Sequence, residues 1–338
     1  MNEQFNAYGL TPDTPEELAE IQQGQTTFSS FFSGDWESEH GPYPQRKYKV
    51  PPDISWESFE PELQKRKAHF DKMRASGWCL WWWEIARALG LPMEQVLQSY
   101  QGGNPSCAGF SAAMAYMRKV IYQKLTAPIK WELINPMCMW AITKGYSTSG
   151  GQSLAAVKLG AAKYGNYAVT DPGIGPYPGK VSRDVYTKAA AQAQNRQLCS
   201  CVIPNTIAAL QLCLDACEVV ALGNSTACKT ARLDSNGILI GVASGTWAHA
   251  HNYDAIRYVH GEPYFHWSNS WGNMYKGSKE NDPMTGCWHT RDTAAQMIRG
   301  ASMWCSVYAE AFEELTPGST QFAIPRIVYP DYIKHTHS

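Results

Sequence analysis

The residues best suited to chemistry lie in residues 101–112, a Gly-, Asn- and Pro-rich loop followed by a run of small residues. That change in composition predicts that Cys107 lies at or near the first turn of a helix. A helix N-terminus favours an anion, and the thiolate is the reactive form of cysteine. The side-chain amide of Gln101, six residues earlier, could donate to an oxyanion at the same place. A buried, unreactive cysteine in a helical core is the alternative interpretation.

A second stretch contains the groups that a nucleophilic cysteine needs. His249 and His251 begin an alternating run that predicts a strand, and a hairpin around residues 260–263 leads to a second strand that ends near Asn269. Neighbouring strands would then present a histidine and an asparagine. A cysteine, a base that takes its proton and an amide that orients the base are the parts of a nucleophilic triad.

Taken in order, these motifs resemble the papain-like cysteine proteases. The matching segments are residue 101, residues 106–107 and 110–112, a glycine pair with the helix-like run after it at 149–156, the strand at 261–265, and residues 269–272. These blocks cover about residues 100 to 275, and the spacing from the cysteine to the histidine and asparagine is of the size known for that family. The chain departs from the family at Ala108, Asn104, Thr148 and Tyr275, which removes an aromatic neighbour, a disulfide and a second tryptophan.

The resemblance implies a cysteine endopeptidase that works through a Cys107 thiolate paired with a histidine. It implies that Asn269 orients this histidine and that Gln101 lies in the oxyanion hole. For substrate binding, it implies that Gly150 and Gly151 pair with an extended peptide. Trp271 would cover the site.

Two histidines compete for the role of base. His249 and His251 are two residues apart on a predicted strand and therefore face the same side. Counting back from Tyr258 aligns the strand that begins at His251 with the family's histidine strand, so His251 is preferred. His249 is then a neighbour or a rim residue. We interpret His260, His266 and His289 as surface or hairpin histidines.

The predicted fold class is α+β, a papain-like two-lobed fold in which a helical lobe precedes an antiparallel, β-barrel-like lobe. We divide the chain into an N-terminal extension (1–60), a helical lobe with the cysteine (61–200) and a β-rich lobe with the histidine and asparagine (201–338). Within the extension, residues 14–23 predict a short helix, and an aromatic-rich loop follows. The extension is also a candidate docking surface for a protein partner.

Composition excludes several other classes of protein. The 338 residues include 29 Lys and Arg against 30 Asp and Glu, so neither a nucleic-acid footprint nor an anionic-membrane patch is indicated. Residues 1–25 are polar and acidic and predict no secretory signal, and no apolar run is long enough for a membrane span. The ten cysteines then indicate a reducing compartment, and we expect a cytoplasmic or virion-associated protein.

No metal or cofactor is predicted. Five cysteines, at 199, 201, 213, 217 and 228, raise a metal hypothesis, but the first four lack the paired two-residue spacers of common zinc sites. Two other functions stay open. One is a catalytically silent papain-like module in a larger assembly, including that of a phage, and the other is acyl transfer by the same thiol.

Overall fold

The structure is a computed structural model that describes residues 25–26, 53–97, 99–125, 130–144, 150–176, 182–194, 196, 199–275 and 282–307. Most of the predicted extension lies outside the described residues, including the helix predicted at 14–23 and the aromatic-rich loop after it. Ser149, which precedes the predicted glycine pair, also lies outside them.

Nine helices lie within the described residues, and one of them begins at Cys107, as the sequence predicts. They are α1 (Trp56–Ala75), α2 (Trp82–Ala88), α3 (Met93–Val96), α4 (Cys107–Gln123), α5 (Pro136–Ile142), α6 (Leu154–Tyr164), α7 (Arg183–Gln194), α8 (Ile207–Asp215) and α9 (Arg291–Met297). Side-chain caps fix several starts: Asn135 accepts from the second residue of α5, and Ser153 and Thr206 cap α6 and α8. None of the described helices has the length and apolarity that a membrane crossing requires.

Helix α4 is the central helix, and every one of its residues is buried. Its small residues let neighbouring elements approach closely. A Cβ at Gly109 would lie 2.5 Å from the carbonyl oxygen of Pro136 and 3.0 Å from the Cβ of Trp140. Only glycine therefore allows α4 and α5 to pack in this arrangement.

The described strands form one sheet, and they come from both before and after the central helices in the chain. They are β1 (Gln25–Thr26), β2 (Asp53–Ile54), β3 (Cys199–Val202), β4 (Val220–Leu233), β5 (Leu239–Val259), β6 (Glu262–Ser268), β7 (Gly286–His289) and β8 (Ser302–Val307), in the order β1-β2-β3-β8-β4-β5-β6-β7. The pairs β4–β5, β5–β6 and β6–β7 are antiparallel. His260 and Gly261, with φ of 52° and 82°, form the two-residue turn of the predicted β5–β6 hairpin.

The α+β fold class is confirmed by this arrangement of helices and antiparallel sheet. The second lobe differs from the expected barrel, because the described strands form an open sheet. Part of the predicted extension joins this sheet: β2 pairs in parallel with β1 and with β3, and Ile54 is fully buried. The division at residues 60 and 200 remains a prediction.

Candidate active site

Cys107 is the first residue of α4, as the sequence predicts, and its side chain is fully buried. Polar side chains of α4 attach the helix to β5. Ser111 Oγ donates to the carbonyl of His251 at 2.9 Å, and the Tyr122 hydroxyl donates to the carbonyl of Asp254 at 2.7 Å. Arg118 forms a buried ion pair with the Asp254 carboxylate. Loss of one partner of such a pair lowers the unfolding free energy by about 3–5 kcal/mol. These contacts therefore hold α4 firmly against β5.

Hydrogen bonds also join the loop before the cysteine to the loop after β6. The Gln101 backbone N–H donates to the Ser270 carbonyl at 2.7 Å, and the Gly272 N–H donates to the Ser99 carbonyl at 2.8 Å. Ser99 Oγ donates to the carbonyl of Asn269. These hydrogen bonds therefore join the two parts of the predicted site, residues 99–101 and residues 269–272, which are distant in sequence.

The side chain of Gln101 is held in one orientation. The hydroxyl of Ser270 donates to its Oε1, and its Nε2 donates to the carbonyl of Asn104 at 2.9 Å. Because Oε1 accepts from Ser270, the amide nitrogen is fixed on the opposite side of the amide group. Gln101 is only 4% exposed, so its amide works in a low-dielectric environment in which a donor interacts strongly with a negative oxygen.

Asn269 pairs with His249. Its Oδ1 accepts the Ser270 N–H at 2.7 Å and lies 2.6 Å from His249 Nε2. Because a backbone N–H only donates, the facing atom of Asn269 is its oxygen, and His249 Nε2 must donate to it. The proton-accepting nitrogen of neutral His249 is then Nδ1. Trp271 lies over the ring at a centroid distance of 4.8 Å and an angle of 31°, so it covers this hydrogen bond.

His251, the base preferred from sequence, is held elsewhere. Its Nδ1 accepts from the indole N–H of Trp267 at 2.6 Å, and its Nε2 lies 3.1 Å from Asn224 Oδ1. An indole N–H is only a donor, so His251 carries its proton on Nε2 and donates it to Asn224. Both ring nitrogens are thus engaged within the sheet.

The lowered pKa of His251 also indicates a neutral imidazole. Burial lowers its pKa well below the usual range, and the nearby His249 and His289, which disfavour a positive charge on His251, lower it further. A neutral imidazole with both nitrogens hydrogen-bonded is poorly suited to accept a proton from a thiol. Asn269 is therefore hydrogen-bonded to His249 rather than to His251, and the choice of His251 as the base remains a prediction that these contacts do not favour.

The state of the Cys107 thiol also differs from expectation. Burial raises its pKa to about 12, and hydrogen bonds to its sulfur from the backbone N–H groups of Ala250 and Ala108 oppose this rise only in part. At neutral pH the sulfur is therefore protonated, which corrects the predicted thiolate–imidazolium pair. The bond from Ala250 locates the sulfur beside the residue that follows His249 on β5.

The structure describes both glycines of the predicted peptide-binding pair, Gly150 and Gly151. Gly150 has a φ of 72°, a backbone conformation that favours glycine. The ammonium of Lys144 donates to the carbonyl oxygens of Gly150 and Gly151 at 2.8 and 3.1 Å. An extended peptide that paired with these carbonyls would have to compete with Lys144.

Sequence reasoning missed several residues that shape this region. Ser270, which orients both Gln101 and Asn269, follows the asparagine directly, and that adjacency was the available signal. Asn224 comes from β4, and nothing local in the sequence connects it to His251. His266 and His289 are fully buried, contrary to their interpretation as surface or hairpin residues; His260 is exposed in its hairpin turn.

Potential metal-ligating residues gather around one cysteine of the segment that raised the metal hypothesis, Cys228, and around two residues distant from it in sequence. Within the described residues, Cys228, Cys287 and His289 form a group of three whose ligand atoms lie within 4.8 Å of one another. A hydrogen bond from Cys287 and the charge of His289 lower the pKa of Cys228 to about 5. Cys228 is thus a second thiol to be distinguished from Cys107 in any labelling experiment.

Comparison with known proteins gives structural likenesses alone. No protein-family model and no curated protein sequence matches this chain. Among solved structures, xylellain, a cysteine protease from Xylella fastidiosa, is 20% identical, with a TM-score of 0.41 over 62% of this chain and 82% of that chain. Digestive procathepsin L2 of Tenebrio molitor is 17% identical, with a TM-score of 0.45 over 66% and 72%, and procathepsin L3 is 15% identical, with a TM-score of 0.44 over 62% and 66%. The chain thus spans just under two thirds of the latter, and likeness at this level assigns neither family nor activity.

Proposed function

We propose that the chain is a papain-like cysteine peptidase in which Cys107 is the nucleophile, His249 the base and Asn269 the group that orients the base. The observation that supports this most directly is the Asn269–His249 hydrogen bond beneath Trp271. The residue after His249 donates its N–H to the Cys107 sulfur, so the sulfur lies next to the segment of β5 that bears His249. The cysteine–histidine–asparagine order along the chain supports the triad, although the alignment of the histidine strand favoured His251 as its base.

The protonated thiol requires a general-base mechanism. His249 Nδ1 accepts the proton of Cys107 as the sulfur attacks the peptide carbonyl, and the imidazolium formed is stabilised by Asn269 Oδ1. The imidazolium then gives its proton to the leaving amine, which leaves a thioester on Cys107. His249 next takes a proton from water, whose oxygen attacks the thioester and releases the carboxylic acid and the thiol.

The oxyanion is stabilised by the Gln101 amide and by the backbone N–H of Cys107 at the start of α4. A preorganised donor of this kind contributes about 10²–10³-fold to kcat. Ser270 supports the role of Gln101, because its hydroxyl fixes the amide orientation before substrate binds. The donor therefore needs no reorganisation in the transition state.

Substrate access requires an opening of the site. Cys107, His249 and Asn269 are each fully buried, so a peptide carbonyl cannot reach the sulfur until overlying groups move. On opening, the peptide adds as a strand beside Gly150 and Gly151. Lys144 must then release their carbonyls or pair with the carboxylate of an acidic substrate.

A catalytically silent papain-like module is the second candidate. The complete burial of Cys107 and its raised pKa favour it, since both oppose a reactive thiol. The two candidates differ in one measurable property, the turnover of peptides by the full chain.

The test is hydrolysis of a mixture of internally quenched peptides by the full chain, with Cys107→Ala as the matched variant. The peptidase proposal predicts cleavage that Cys107→Ala abolishes while thermal unfolding is unchanged within a few degrees. Equal cleavage by both proteins refutes the assignment of the nucleophile. A folded wild-type chain that cleaves none of the peptides supports the silent module instead.

A further inference from the structure

Outside the candidate active site, two cysteines and a histidine converge in the sheet. Cys228 lies on β4, and Cys287 and His289 lie two residues apart on β7, so the last two face the same side of the strand. The Cys228 sulfur lies 3.2 Å from His289 Nε2. All three side chains are 2% exposed or less.

Strand β5 runs between β4 and β7 and leaves room for this group. A Cβ at Gly241 would lie 2.6 Å from His289 Nε2 and 2.7 Å from the Cys287 sulfur. Glycine at this position therefore lets the sulfur and the imidazole ring pack directly against the backbone of β5. The N–H of Gly241 hydrogen-bonds the Cys287 sulfur and that of the next residue, Val242, hydrogen-bonds the Cys228 sulfur. Adjacent backbone donors thus point at both sulfurs.

The histidine is oriented by a group behind it. The hydroxyl of Tyr253, on β5, lies 2.7 Å from His289 Nδ1. When Nδ1–H donates to this hydroxyl, Nε2 presents its lone pair to the two sulfurs. An outer partner on the far ring nitrogen is the usual arrangement for a histidine that binds a metal.

The separations fit a tetrahedral metal. With Zn–S of about 2.3 Å and Zn–N of about 2.05 Å, tetrahedral geometry requires S···N of about 3.6 Å and S···S of about 3.8 Å. The Cys228 sulfur and His289 Nε2 are 3.2 Å apart, which is shorter than the tetrahedral S···N distance. All ligand atoms of the group lie within 4.8 Å of one another. Small side-chain shifts would admit the ion, and two thiolates with one imidazole select a soft ion such as zinc.

We propose that Cys228, Cys287 and His289 bind a zinc-class divalent metal ion that ties β4 to β7 across β5. Both cysteines bind the ion as thiolates, and an external ligand completes the tetrahedron. The site is separate from the Cys107 thiol, and the proposal does not depend on peptidase activity. Its structural effect reaches β5, the strand that bears His249.

The test is metal content and cobalt binding in the full chain. The protein is purified in reductant and its zinc is measured by mass spectrometry. It is then unfolded with a chelator and refolded with Co²⁺, whose thiolate charge-transfer band reports bound sulfur. We expect one metal per chain and a charge-transfer band that is lost in Cys228→Ala and in Cys287→Ala. Cys138→Ala removes a buried cysteine of α5 and is the matched control that retains both signals.

A fourth variant guards against simple misfolding. Tyr253→Phe keeps the aromatic ring but removes the hydroxyl, so metal affinity should fall about 10–100-fold while the chain still folds. The proposal is overturned by a folded wild-type chain that binds no cobalt or binds it without a charge-transfer band. It is also overturned if Cys228→Ala binds as well as Cys138→Ala, or if peptide mapping in reductant shows Cys228 joined to Cys287 as a disulfide.

Discussion

Exchange of the two neighbouring histidines for alanine separates catalysis from support of the sheet. His249→Ala removes the base, and loss of a general base reduces kcat about 10²–10⁴-fold, or about 3–5 kcal/mol of activation free energy. The fold also loses stability, because the fully buried ring leaves a cavity beside Trp247 and Trp271, but Asn269 Oδ1 still accepts from Ser270. We therefore expect a large loss of activity and a loss of stability smaller than that of His251→Ala.

His251→Ala has the opposite signature. It leaves the buried indole N–H of Trp267 without its acceptor and opens a cavity in the sheet, at a cost of about 2–5 kcal/mol of unfolding free energy. His251→Gln, which retains hydrogen-bonding groups, guards against an alanine variant that fails to fold. It should retain activity within about tenfold of wild type at a temperature where it is folded.

The assay is kcat/KM on a cleaved peptide, together with thermal unfolding of each variant. The expected ranking of activity is wild type, then His251→Gln, then His249→Ala. The reasoning is refuted if folded His251→Gln loses activity as completely as Cys107→Ala does, or if His249→Ala remains active.

Four further outcomes follow from the structure. Because burial raises the Cys107 pKa to about 12, the rate of Cys107 alkylation should increase about tenfold per pH unit between pH 7 and 9. Peptide mass spectrometry measures this rate, and a fast, pH-independent rate in this range would indicate a preformed thiolate. Because the Cys107 pKa is raised above its ordinary value of 9.0, the buried thiol stabilises the fold below about pH 9, and this contribution falls as the pH rises further. Urea unfolding of wild type and Cys107→Ala at pH 7 and 10 measures this contribution. An equal or larger stability advantage of wild type at pH 10 would contradict it. Gln101→Ala should lower kcat about 10²–10³-fold with little change in KM, and Ser270→Ala should lower it by less, whereas unchanged kcat in Gln101→Ala would exclude it from the oxyanion hole. Gly109→Ala should cost about 1–3 kcal/mol in urea unfolding, because its methyl group meets the carbonyl of Pro136; an unchanged midpoint would contradict this packing.

Local composition predicted the elements that position the site. The Gly- and Pro-rich loop before Cys107 and the small residues after it indicated the start of α4, and the structure begins the helix at that residue. Alternation of residues after His249 indicated β5 and its hairpin, because a half-buried strand repeats every two residues. Both inferences depend on neighbours along the chain.

The choice of histidine could not be made in this way. His249 and His251 face the same side of one strand, so periodicity treats them alike. Their roles are separated by Asn269, Trp267 and Asn224, whose side chains arrive through strand pairing that the sequence does not display.

The direction of the Cys107 pKa was missed for a related reason. A helix N-terminus predicts a lower pKa, but the extent of burial is a property of the assembled fold, and here burial outweighs the local effect. The same limit applies to Cys228 and His289, which lie 61 residues apart in sequence and meet only in the folded sheet.

The most direct test of the account is covalent labelling of the full chain with a peptidyl vinyl sulfone, read by intact mass and peptide mapping. We expect one adduct, on Cys107, that forms in wild type and in His251→Gln and is lost in His249→Ala. Labelling of Cys228 in place of Cys107, or labelling of Cys107 at an equal rate in His249→Ala, would contradict it.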